Sequence, residues 1–146
     1  MLETQAQGFT ILIAEDDDGH ADLVMEQLQD AGLRHPIVRF RDGQEVMDFL
    51  LPPAGGPARA RPCLLLLDIN MPRMDGITVL RRLKGDPATR SIPIIMLTTT
   101  DDPGEVAACY RLGCNLYITK PVAFQAFSET IQRLGQFLEV LQVAAP

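Results

Sequence analysis

Along this 146-residue chain, short apolar runs alternate five times with helix-period patterns, and most linkers between them are only a few residues long. The runs are Thr10–Ala14 (TILIA), Pro36–Phe40 (PIVRF), Cys63–Leu67 (CLLLL), Pro93–Leu97 (PIIML) and Asn115–Thr119 (NLYIT). Ala21, Val24, Met25, Leu28 and Ala31 recur at helical spacing after the first run, and Gly32 is a natural stop. Asp42-Gly43 makes a turn into a brief helix carrying Val46, Met47, Phe49 and Leu50. Ile77, Leu80 and Leu83 mark a third helix, which gives out near Gly85-Asp86-Pro87. A polar turn, Asp101–Gly104, opens a fourth through Val106, Ala107, Tyr110 and Leu112, closed by Gly113. A last helix starts near Val122 and runs almost to the terminus. Strict alternation with short linkers demands parallel strands joined by right-handed crossovers. No internal repeat or second domain is visible, so one domain is expected, with a core from about Thr10 to Leu141.

The central run is the most informative. Cys63–Leu67 is apolar without interruption, which reads as a strand buried on both faces. It ends in Asp68, with Asn70 two residues on, and Pro72 then forbids continuation. Open α/β sheets bind ligands at the carboxyl ends of their strands. All five strands point to that edge, so residues following them converge there: Glu15 and Asp16, then Asp68, Thr98 and Lys120. Carboxylates this close repel by about 4 kcal/mol per pair at an effective dielectric near 20, and cannot all stay ionised without a cation. Hard oxygen ligands suit Mg²⁺. Lys120 adds a fixed positive charge, and the Thr98 hydroxyl can donate to a phosphoryl oxygen. The set is that of a phosphoryl-transfer site, with Asp68 as the attacking carboxylate.

Composition limits the partners. A net charge of −6 leaves no surplus of Lys and Arg to neutralise phosphates, which argues against nucleic acid. No apolar stretch approaches the ~20 residues of a membrane span, and the first residues show no secretory pattern. Cys63, Cys109 and Cys114 read as small buried hydrophobes of a reducing cytoplasm, not as metal ligands. Pro52–Pro62, rich in Pro, Gly and Ala, reads as a surface loop; no Gly-Lys-Ser/Thr follows to make it a phosphate cradle.

ILIAEDD, LLLLDINMPRMDG, IIMLTT and YITKP, in this order, resemble the receiver domains of two-component response regulators over nearly the whole chain. The resemblance implies a flavodoxin-like (βα)5 sandwich with strand order 2-1-3-4-5. It implies that Asp68 is the phosphoacceptor and a sensor histidine kinase the donor. Asp16 and Asp68 would bind Mg²⁺ directly, Glu15 mostly through water, and Asn70 through its backbone carbonyl. Thr98 and Lys120 would contact the phosphoryl group. Tyr117 matches the aromatic that turns inward on activation, although a half-buried strand aromatic is an equally simple reading. The side chains of Asn70 and Thr100 lie where water would approach, and so would tune dephosphorylation. The Pro/Gly loop and GDPATRSIPIIMLTTT are similar to the stand-alone regulators paired with bacterial phytochromes. No DNA-binding or enzymatic output module is recognisable, so another protein or onward phosphotransfer is the expected output.

Simpler roles stand beside these. Asp17 and Asp18 read as helix N-caps. His20 and His35 read as surface histidines, and Arg81, Arg82 and Lys84 as a solvated helix face. Phe124, Phe127, Ile131, Leu134, Leu138 and Leu141 form a stripe that would pack on the sheet. Phe137, Val140 and Val143 add apolar surface beside its end, so a homodimer through Phe137, Val140 and Leu141 is expected. Two rival functions remain: an aspartate-based phosphohydrolase, and a receiver-like module that is never phosphorylated. The first typically has a second acid two residues after its nucleophile, where this chain has Asn70, and a cap domain that this chain lacks.

Overall fold

A computed structural model describes residues 8–51 and 62–145 of the chain. The loop read over Pro52–Pro62 lies, except for Pro62, outside the described residues. The elements alternate as the sequence predicts: β1 (Thr10–Ala14), α1 (Asp18–Asp30), β2 (Ile37–Phe40), α2 (Gly43–Leu50), β3 (Cys63–Leu67), α3 (Gly76–Gly85), β4 (Ile94–Thr98), α4 (Pro103–Leu112), β5 (Leu116–Thr119) and α5 (Phe124–Val140). The strands form one parallel sheet in the order β2-β1-β3-β4-β5. This is the flavodoxin-like order, in which strand succession reverses between β1 and β3.

Two apolar clusters flank the sheet. One is built from Leu12, Leu65, Leu67, Ile94 and Met96 with side chains of α2, α3 and α4. The other joins Ile11, Ile13, Leu64, Leu66, Ile95 and Leu97 to α1 and α5. Alternate residues of β3 serve opposite clusters, which is why its apolar run is unbroken. Cys63, Cys109 and Cys114 are buried free thiols, and burial pushes Cys63 and Cys114 up to about 11, so they pack as apolar groups.

Helix starts are fixed locally. Asp17, Asp42, Asp75 and Asp102 each accept a hydrogen bond from the backbone N–H three residues on, capping α1 to α4. Contrary to the sequence expectation, Asp18 does not cap α1 but bonds Arg39 and Arg41. Gly113 closes α4 at φ 109°, the left-handed conformation that glycine adopts without penalty. Lys84 is not part of a solvated face, since its ammonium donates to the carbonyls of Arg90 and Ile92. His35 is half-buried, its ring centroid 4.4 Å from that of Phe9, and burial lowers its pKa.

The last helix is shorter than its periodicity predicts. It ends at Val140, and Leu141 turns extended at ψ 141°. Phe127, Ile131, Leu134 and Leu138 pack inward as expected, but Phe124 is 65% exposed. Leu141 and Val143 fold back against the α1/α5 cluster, leaving Phe137 and Val140 as the exposed apolar residues at this end.

Candidate functional site

β1 and β3 are hydrogen-bonded neighbours in the middle of the sheet, and their carboxyl ends deliver the acids. Ala14 pairs with Leu67, so Glu15 and Asp68 leave the sheet side by side, and the Asp68 N–H still donates to the Ala14 carbonyl at 3.1 Å. One carboxylate oxygen from each of Glu15, Asp16 and Asp68 lies within 4.8 Å of the others. Lys120 follows β5, two strands from β3, and its backbone N–H donates to the Thr98 carbonyl at 2.7 Å. Its buried ammonium reaches back to Glu15 Oε1 at 2.5 Å and Asp68 Oδ2 at 3.5 Å. The sequence-predicted convergence of Glu15, Asp16, Asp68 and Lys120 is therefore present in three dimensions.

Burial differs across the set. Asp68 and Lys120 are 7% and 4% exposed, so the lysine is no surface residue, whereas Asp16 is open to solvent. Glu15 is buried, and desolvation raises its pKa; Lys120 opposes the rise by hydrogen bond and charge, while Asp68 adds to it. A single ammonium thus serves a cluster of three carboxylates, bonding two of them, Glu15 and Asp68. That imbalance, with hard oxygens converging and one acid open to water, fits a divalent cation with part of its hydration retained.

The loop after β3 is held in a fixed path. Asn70 N–H reaches Asp68 Oδ1 at 3.4 Å, and Asn70 itself is exposed. The Gly76 N–H bonds the Ile69 carbonyl at 2.8 Å, closing the loop onto α3. Arg73 sits at φ 67° and places its guanidinium on both oxygens of Asp42, the cap of α2.

Thr98 ends β4 rather than following it, fully buried, with its hydroxyl 3.5 Å from the Thr100 N–H. The half-buried Tyr117 donates its hydroxyl to the Thr100 carbonyl at 2.7 Å and so ties β5 to the loop after β4. Its backbone N–H is taken by the hydroxyl of Tyr110 from α4. Burial pushes the Tyr117 phenol up to about 12. Phe137, Val140 and Leu141 lie far along α5 and beyond it, outside this cluster. Arg39, from β2, is a site neighbour that the sequence reading passed over. Its fork donates to the Glu15 carbonyl at 3.0 and 2.6 Å. The only sequence signal was a charge within an otherwise apolar strand.

The family model for the response regulator receiver domain matches residues 11–132. The chain is 35% identical over 136 residues to response regulator Rcp1 of Synechocystis sp., covering 92% of each. The crystal structure of a response regulator receiver domain from Rhodospirillum rubrum superposes with a TM-score of 0.89 at 43% identity, covering 93% of this chain and 97% of that one. The structure of Mn²⁺-bound Rcp1 gives 0.83 at 33% identity, covering 93% and 99%. That of the phosphorylated cyanobacterial phytochrome response regulator RcpA gives 0.80 at 29% identity, covering 92% and 96%. The chain belongs to the response regulator receiver domain family, the module of phosphorylation-dependent signalling switches. Among its relatives, Rcp1 and RcpA are stand-alone response regulators.

Proposed function

We propose that this protein is a single receiver domain that accepts a phosphoryl group on Asp68 from the phosphohistidine of a sensor kinase, and that a bacterial phytochrome is that kinase. The observation that carries the reading is the meeting of Glu15, Asp16 and Asp68 oxygens within 4.8 Å beside the buried Lys120 ammonium. The phytochrome partner is supported by the likeness to RcpA, a phytochrome response regulator.

Glu15, Asp16 and Asp68, with the Asn70 carbonyl, would hold Mg²⁺, which when bound neutralises charge on the phosphoryl oxygens. Asp68 attacks the phosphorus in line, forming a carboxyl O–P bond as the histidine P–N bond breaks. Lys120 exchanges its contact with Glu15 for one with a phosphoryl oxygen. The Thr98 hydroxyl turns toward the same group, and its movement is passed through the Thr100 carbonyl to Tyr117. The surface around α4, β5 and α5 rearranges and alters partner binding. Asn70 and Thr100 border the approach of water and set how long the acyl phosphate lasts. The protein undergoes its own phosphorylation and dephosphorylation, without turnover of a separate substrate. It acts in the cytoplasm as a homodimer built on Phe137, Val140 and Leu141, without binding nucleic acid or membrane. Among the described residues no helix is long and apolar enough to cross a membrane.

A radiolabelled, autophosphorylated phytochrome kinase tests the proposal. Label is expected to pass to the natural chain in Mg²⁺ and not to Asp68→Asn. Label retained by the kinase, or transferred equally to the variant, contradicts it.

A further inference from the structure

Two of the three acids at the site have protein groups fixing their side chains. Glu15 is held by Lys120 and by the Asp17 N–H at 3.1 Å, and Asp68 by Lys120 and the Asn70 N–H. Asp16 differs: among the described residues no hydrogen bond or ion pair holds its carboxylate, and it is exposed. Its aim is therefore set by the backbone that carries it. The peptide group joining Glu15 to Asp16 is gripped from the edge of the sheet. Arg39 Nε and Nη2 both donate to the Glu15 carbonyl, at 3.0 and 2.6 Å, and Nη1 donates to Asp18 at 2.8 Å. The planar fork thus spans the acidic turn at both ends, fixing the peptide before Asp16 and the side chain two residues after it. Arg39 is held in place for this, its side chain only 13% exposed, whereas Arg41, which shares Asp18, is 62% exposed.

We infer that Arg39 is a positioning residue for the divalent cation: its grip on the Glu15 carbonyl orients the Glu15–Asp16 peptide so that the Asp16 carboxylate faces Asp68. This rests on the divalent reading of the site. The inference separates from an electrostatic one by sign. A guanidinium near a cation site repels the incoming ion, so an arginine acting by charge alone weakens binding, and its removal tightens it. An arginine that aims a ligand strengthens binding, and its removal loosens it.

Titration of the full chain with Mn²⁺, followed by calorimetry and by the loss of the free-ion resonance signal, decides between them. Arg39→Met is expected to weaken Mn²⁺ binding about tenfold, as loss of a group orienting a metal ligand does. Arg41→Met removes a nearby charge without touching Glu15, and is expected to leave affinity unchanged or raised. Arg39→Lys keeps the charge but not the fork, and is expected to weaken binding like Arg39→Met; it carries the test alone if Arg39→Met does not fold. Affinity equal to or above that of the natural chain in whichever Arg39 variant is folded overturns the inference. Failure of the natural chain itself to bind Mn²⁺ removes the divalent reading, and the inference with it.

Discussion

A Cβ at position 76 would stand 2.0 Å from the Asp68 carbonyl oxygen, and one at position 43 would stand 2.1 Å from that of Met74. Both contacts are with backbone, which cannot step aside. The glycines therefore let α3 start against the strand end that carries Asp68, and let the turn before α2 press on the loop after β3. Arg73 completes that contact. Its left-handed backbone costs roughly 1 kcal/mol in a non-glycine residue, and its fork on Asp42 helps to hold the conformation. The same guanidinium holds the Asp42 carboxyl below its usual range, chiefly through the hydrogen bond. A depressed carboxyl stabilises the fold at pH above its unfolded value, and that stabilisation is lost as pH falls through the folded value. The stability gap between the natural chain and Arg73→Met should thus be constant above about pH 5 and shrink below about pH 4. Urea unfolding at stepped pH measures it; a gap that widens in acid contradicts the assignment.

Elements were legible where apolar periodicity and local punctuation agree. The β3 run, the Asp17 cap, the turn at Asp42-Gly43 and the Gly113 stop all follow from short-range chemistry. Ends without such punctuation were not. Leu141 continues the helical stripe of α5 by spacing, yet it leaves the helix to pack, with Val143, on the α1/α5 cluster. Periodicity records which residues are apolar, not which apolar surface they meet. The result is an α5 whose distal part shows Phe137 at 43% and Val140 at 76% exposure, beside a groove lined by Leu116, Phe137, Leu141 and Val143. A second copy of the chain would cover this surface. Phe137→Glu with Val140→Glu should convert a dimer to a monomer in light scattering, with the far-ultraviolet helix signal retained. A mass unchanged by the two charges contradicts α5 as the dimer contact.

At the scale of the molecule, topology does the assembling. Residues as distant as Glu15 and Lys120 meet because parallel strands share one carboxyl edge, so the core of the site could be read from strand order alone. What strand order cannot supply is the path of long side chains between neighbouring turns. Arg39 on Glu15 and Arg73 on Asp42 depend on χ angles and on the separation of two loops, neither of which has a sequence period. The depth of Lys120 and the hydroxyl contact of Tyr117 with Thr100 belong to the same category. The central claim is that the acids gathered at this edge make Asp68 a phosphoryl acceptor. Incubation with acetyl phosphate and Mg²⁺, followed by intact mass and peptide mapping, measures it directly. The account predicts a gain of one phosphoryl group on Asp68, lost when Mg²⁺ is chelated beforehand; an unmodified chain, or a phosphoryl group mapped to another residue, would contradict it.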